Sequence, residues 1–176
     1  MMTNSLLNSI GVEFLLRWIH IMAGITWIGL LYYFNFVQTP FMGEAAAAAK
    51  PEITTKLVPR ALWWFRWSAM VTFLVGWLIV IKKIGEGSIS LSPPSSYSVS
   101  ILLGGILGSI MWFNVWFIIW PNQRVIIEAT KEAVAKGGTV QVGNRPRIAM
   151  LASRTNTMLS IPMLFFMAAA SHIQWH

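Results

Sequence analysis

Apolar positions in this chain run on in long blocks instead of recurring on one helical face. Four stretches, at about 14–37, 61–82, 100–120 and 150–173, are apolar enough all round to cross a bilayer, which takes about 20 residues of helix. A different pattern separates the third block from the fourth. Between Gln123 and Lys136, Val125, Ile126, Ala129, Ala133 and Val134 are interleaved with Arg124, Glu128, Lys131 and Glu132. That spacing predicts an amphipathic helix lying at the membrane interface, ended by Gly137-Gly138. The expected fold is an all-α integral membrane protein. It is a four-transmembrane-helix bundle with an interfacial amphipathic helix, about 123–136, between helices 3 and 4. A chain of 176 residues argues for one membrane domain, 1–176.

The connections refine this outline. Residues 1–12 carry no charged side chain; a secretory signal needs a basic start and a small-residue cleavage site, so the first span is expected to be retained. The run Ala45–Ala49 predicts a short helix by propensity, with Pro51 interrupting or restarting it. Glycine, serine and paired prolines over 85–96 predict an irregular exposed loop. In the third span, Gly104, Gly105, Gly108 and Ser109 permit close helix contact, and Asn114 needs an interhelical partner. Pro121 fits the first position of a new helix, and Pro162 is expected to kink the fourth span.

Composition supports the membrane reading: 56% of the residues are hydrophobic and 11% charged, against about 25% charged in soluble domains. The formal charge of +7 does not indicate nucleic acid, because the cations cluster between spans with no basic stripe on a soluble fold. Lys50, Lys56, Arg60, Arg124, Lys131, Lys136, Arg145 and Arg147 fall on one side, and Lys82 and Lys83 on the other. The positive-inside rule then places both termini outside an inner (cytoplasmic) membrane, in the periplasm of a Gram-negative host. Cysteine is absent. Disulfides, thiolate zinc, iron–sulfur clusters and covalent c-type haem are thereby excluded, and any haem must be held non-covalently by histidine or methionine.

The candidate chemistry gathers in Arg17–Phe34. This spanning segment contains a titratable His20, and such a residue inside the membrane marks a functional position by default. At helical spacing Glu13, Arg17, His20, Gly24, Trp27 and Leu31 share one stripe. Small residues beside the histidine admit a flat group such as haem b, and Arg17 could pair with a propionate. The alternative is an interhelical hydrogen bond from His20, with the glycines serving helix packing. His172, at the end of the fourth span, is placed on the same outer side. Bis-histidine ligation by His20 and His172, a His20–methionine pair, and His20 alone all remain open; His176 is the third histidine. In Arg60–Trp67, four aromatic rings and two arginines suggest an interfacial belt with snorkelling cations. The alternative turns Arg66 inward, beside a cofactor or an anionic substrate.

These residues resemble a family. The run Arg17-Trp-Ile-His, continued by Ala23-Gly-Ile-Thr-Trp-Ile-Gly29, is similar to the first span of the bacterial membrane-bound urate hydroxylase family. Trp64–Trp67, the run from Asn114 to Arg124, and the run from Arg154 to Met167 followed by His172 match in the same order. More loosely, the first motif resembles four-helix membrane families that hold b-type haem with a first-span histidine. The resemblance implies a redox setting and possible urate oxidation. Family members with assigned function carry further helices and a C-terminal cytochrome c domain, whereas this chain has no Cys-x-x-Cys-His. A separate cytochrome or quinone would then take the electrons.

Two functions compete. One is a haem-b membrane redox protein, for electron transfer or oxidation of a small substrate such as urate, with Arg17, Arg66, Gln38, Asn114 and Asn122 available to an anion. The other is a non-catalytic accessory or structural subunit of a larger membrane electron-transfer complex. Transport is disfavoured, because span two offers no counterpart to Pro162 in a paired-repeat pattern.

Overall fold

In the computed structural model, which describes residues 9–172, the chain is helical almost throughout and contains no strand among those residues. Residues 1–8, His176 and the last residue of the fourth predicted span lie outside the described residues. Helix α1, Ser9–Tyr32, passes through a π-helical stretch, Tyr33–Gln38, into α2, Thr39–Glu44. The chain restarts at α3, Lys50–Glu52, and runs through a second π stretch, Ile53–Leu57, into α4, Val58–Gly85. Helix α5, Ser96–Phe113, continues through a third π stretch, Asn114–Ile119, into α6, Trp120–Lys136; α7 covers Arg145–Ala169.

Three helical runs, Ile10–Glu44, Lys50–Gly85 and Ser96–Lys136, are long and apolar enough to cross a membrane. They match the first three predicted spans. Helix α7 packs beside them and stays helical through Pro162, but its N-terminal half carries Arg145, Arg147, Arg154 and Asn156. A four-span bundle is therefore a proposal, taken up below.

Two local expectations are corrected. The alanine run is not a helix: α2 ends at Glu44, Ala45 is extended at ψ 140°, and helix resumes only at Lys50. Propensity loses here to the proline, whose ring clashes with the carbonyl four residues back, that of Ala47. Helix formation thus restarts with Pro51 in its first turn, and the alanines carry the chain reversal between α1 and α4. Pro121 does sit in the first turn of α6, but that helix continues α5 without a break. In the π stretch before it, the Trp120 N–H reaches the carbonyl of Val115. This wider i→i+5 winding absorbs the missing proline N–H, so α5 and α6 form one run, Ser96–Lys136, of 41 residues. The amphipathic character is real, but its apolar side serves packing: Ile127 and Thr130 are buried, and Ile127 joins the main core.

That core is a single cluster: Trp27, Ile28 and Leu31 of α1, Val58, Leu62, Phe65 and Ala69 of α4, Met111, Val115, Ile119 and Ile127 of the α5–α6 run, and Met163 of α7. Several polar groups beside it pair across helices, as an apolar slab favours, although the Trp27 indole Nε1 is buried without a partner. Asn156 of α7 is fully buried; its amide donates to the Met111 carbonyl at 2.9 Å and its oxygen accepts from Asn114 at 2.8 Å. Asn114 is thus the predicted interhelical anchor. Tyr32 and Ser160 share a hydroxyl–hydroxyl bond of 2.9 Å, and the Asn35 amide donates to Ser153 Oγ at 2.8 Å, tying the end of α1 and the π stretch after it to α7. Gly104 lets Met167 approach closely: an added Cβ would lie 3.0 Å from its Cε. Replacing Asn156 by leucine strands the Asn114 amide and is expected to cost about 1–3 kcal/mol. A lowered unfolding midpoint in detergent checks this, and an unchanged midpoint would show that the bridge contributes nothing.

Candidate functional site

The predicted stripe on α1 is the face it turns toward α4. Trp27 and Leu31 are buried, 2% and 0% exposed, and Gly24 comes close enough that an added Cβ would lie 3.9 Å from the Thr72 methyl. About one turn before Gly24, the His20 ring enters the same seam. Its Nδ1 lies 2.9 Å from the backbone carbonyl of Thr72. A carbonyl only accepts, so Nδ1 carries the proton and donates, which leaves Nε2 as the unprotonated nitrogen. The Thr72 carbonyl is open to a partner while the Thr72 hydroxyl bonds back to the Ser68 carbonyl at 2.8 Å.

Gly76 completes the cradle. An added Cβ there would sit 2.7 Å from His20 Cε1 and 3.1 Å from Nδ1, so only glycine leaves room for the imidazole. A ring held through Nδ1–H by a backbone carbonyl, with Nε2 uncommitted, is how metal-ligating imidazoles are commonly oriented. On that donor chemistry His20 Nε2 could hold a metal ion, while the space left by Gly76 is taken up by the imidazole itself. The same bond also meets the packing alternative read from the sequence.

Arg17 is already engaged. Its guanidinium pairs with Glu13 at 2.8 Å on an exposed edge. Glu13 also meets Lys83 at 2.9 Å and Lys82 at 3.5 Å, while Lys82 pairs with Glu86. The Lys82 ammonium beside it holds the Glu86 carboxyl below its usual value. The start of α1 and the end of α4 are thus joined by a charge network that hydrophobic patterning alone does not reveal.

The sequence treated Arg66 chiefly as part of an interfacial belt. Trp63, Trp64 and Trp67 do face outward, at 51%, 60% and 41% exposure. Arg66 instead turns toward the α5–α6 run: its guanidinium carbon lies 3.9 Å from the Trp120 ring centre, 5.0 Å from Trp116 and 5.4 Å from Trp67. Each such contact contributes about 0.5–2 kcal/mol. Trp116 and Trp120, at i, i+4 spacing, are the sequence signal for this cage, although Trp120 by itself reads as the end of a span.

His172 is exposed beyond the end of α7, with its backbone N–H donating to the Ala169 carbonyl at 3.0 Å. No described contact joins it to His20, and no group of three or more His, Asp or Glu side chains gathers among the described residues. Asn122 Oδ1 accepts from Arg145 at 3.3 Å, and the buried Gln38 Oε1 has no partner. Thr72 and Gly76 escaped sequence reasoning, because neither a backbone carbonyl nor a missing side chain advertises its partner. Gly76→Ala is expected to push the imidazole off Thr72 and to cost about 1–3 kcal/mol; loss of the hydrogen-bonded Nδ1–H signal in an NMR spectrum, with a lowered unfolding midpoint, checks it.

No curated protein and no solved structure matches the chain. A family model does. The match covers Asn114, Trp116, Trp120, Asn156 and the Gly104–Met167 contact, whereas His20 and Arg66 lie ahead of it. Residues 90–175 match the family described as urate oxidase N-terminal, and over this stretch the chain is similar to it.

Proposed function

We propose that the chain is a urate-hydroxylase-like membrane redox protein that holds one haem b through His20. The observation that carries this reading is the His20 ring itself. An ionisable side chain inside an apolar run is costly. Here Nδ1–H is spent on the Thr72 carbonyl 2.9 Å away, and Nε2 is left with its lone pair. Gly76 leaves the space that the ring occupies. A second axial ligand, His172 or a methionine, belongs to the same proposal. So do a four-span bundle, both termini on the outer side of the inner membrane, and a separate cytochrome or quinone as electron partner.

Electron transfer is favoured over substrate catalysis. The six carboxylates are Glu13, Glu44, Glu52, Glu86, Glu128 and Glu132; each belongs to a helix end or a surface ion pair, and no general base stands beside His20. The same distribution favours a second reading, an accessory subunit of a larger membrane electron-transfer complex. Oxidation of urate or a related purine comes to this chain through family similarity.

The deciding experiment is a reduced-minus-oxidised and pyridine haemochrome spectrum of the detergent-purified chain, beside His20→Ala and His172→Ala. The expected result is a b-type signal that His20→Ala abolishes. A His172→Ala variant with an unchanged low-spin spectrum removes that residue as a ligand. A folded His20→Ala protein that keeps its full haem content, or a folded wild type without haem, overturns the proposal.

A further inference from the structure

Arg66 has no partner that accepts a hydrogen bond. Arginine carries five N–H donors and no acceptor, yet among the described residues no carboxylate, carbonyl or hydroxyl bonds to it, and its Nε is buried without a partner. The deficit extends along the neighbouring helix. The indole Nε1 atoms of Trp112 and Trp116 are likewise buried and unpartnered, and Trp116 is itself part of the cage around Arg66. The aromatic faces meet the positive charge but accept none of these protons in the plane of the guanidinium. What this wall lacks is negative charge and acceptor atoms.

Phosphate supplies both, and its oxygens match the planar fork of a guanidinium better than a point cation. We propose that Arg66, with Trp116 and Trp120, forms a binding site for a phosphate-bearing anion, independently of any haem at His20. Its depth favours a lipid headgroup as the source. Arg66 lies six residues beyond Arg60, about 9 Å along the helix, and its neighbours Trp63, Trp64 and Trp67 are exposed in the manner of an aromatic girdle at headgroup level. A dissolved phosphate compound offers the same chemistry from the aqueous side.

The test is the thermal unfolding midpoint of the full chain in a neutral detergent, titrated with phosphatidylglycerol, phosphatidylcholine or inorganic phosphate. Wild-type protein is expected to gain stability with phosphatidylglycerol and much less with zwitterionic phosphatidylcholine. Arg66→Gln should need at least about tenfold more phosphatidylglycerol for the same rise, as expected on losing a charge-assisted bidentate contact. Trp116→Phe keeps an aromatic face but loses Nε1–H together with the pyrrole half of the indole, so it should fall between the two. It also stands in if Arg66→Gln does not fold. Inorganic phosphate that matches phosphatidylglycerol assigns the site to a soluble anion and overturns the lipid source. An identical phosphatidylglycerol response in wild type and in each variant that folds overturns the site.

Discussion

A polar side chain in an apolar helix is costly unless another part of the protein supplies its partner, because lipid offers none. His20 meets that requirement through the carbonyl of Thr72, and the consequences spread along α1 and α4. The imidazole can reach the carbonyl only because position 76 has no side chain. With that contact set, the register of the two antiparallel helices is set too. Gly24 falls opposite Thr72, Phe34 meets Phe65 edge-on at 5.4 Å, and Glu13 arrives within reach of Lys83. One hydrogen bond of this kind contributes only about 0.6–2 kcal/mol. Its larger effect is to exclude registers that would leave the ring unpaired.

The same rule fastens the second half of the molecule. Asn156 both donates and accepts, so it bridges the Met111 carbonyl and the Asn114 amide, and it does so at the start of the π-helical stretch Asn114–Ile119. Wider winding there accommodates Pro121 and lets a single helical run carry Trp112, Trp116 and Trp120 past α4. Phe73 stacks on Trp112 at 4.2 Å and the Trp77 indole donates to Ser109 at 3.1 Å. Aromatic contact and one hydroxyl therefore hold α4 to α5, where α1 and α4 rely on glycine and a backbone carbonyl.

The two candidate sites differ in what they lack. At His20 the donor is satisfied and a lone pair is free, which suits a metal ion. At Arg66 the donors are unmet, which suits an anion. Helix α4 takes part in both, supplying Gly76 to the first and Arg66 to the second, ten positions apart or about 15 Å along a helix. The matched family half, residues 90–175, contributes Trp116 and Trp120 to the second site and nothing to the cradle of the first.

Much of this was legible from the sequence. Unbroken apolar runs determined the first three long helices, because a helix of that length hides its own backbone polar groups and needs no partner to be recognised. Helical spacing identified the α1 stripe from Glu13 to Leu31 as one face, and the lone Asn114 announced an interhelical contact. The sequence could not say which helix each of these faces. The exposed alanine run looked helical by propensity, until the ring of Pro51 and the need to reverse direction removed it from the helix. Arg66 looked like its tryptophan neighbours, until packing turned it inward while they stayed outside. Composition and period act within one segment, so the chain alone determined where helices form and which residues share a face. Register, the partner of each buried donor, and the cage around Arg66 join residues tens of positions apart, and only tertiary packing decides them.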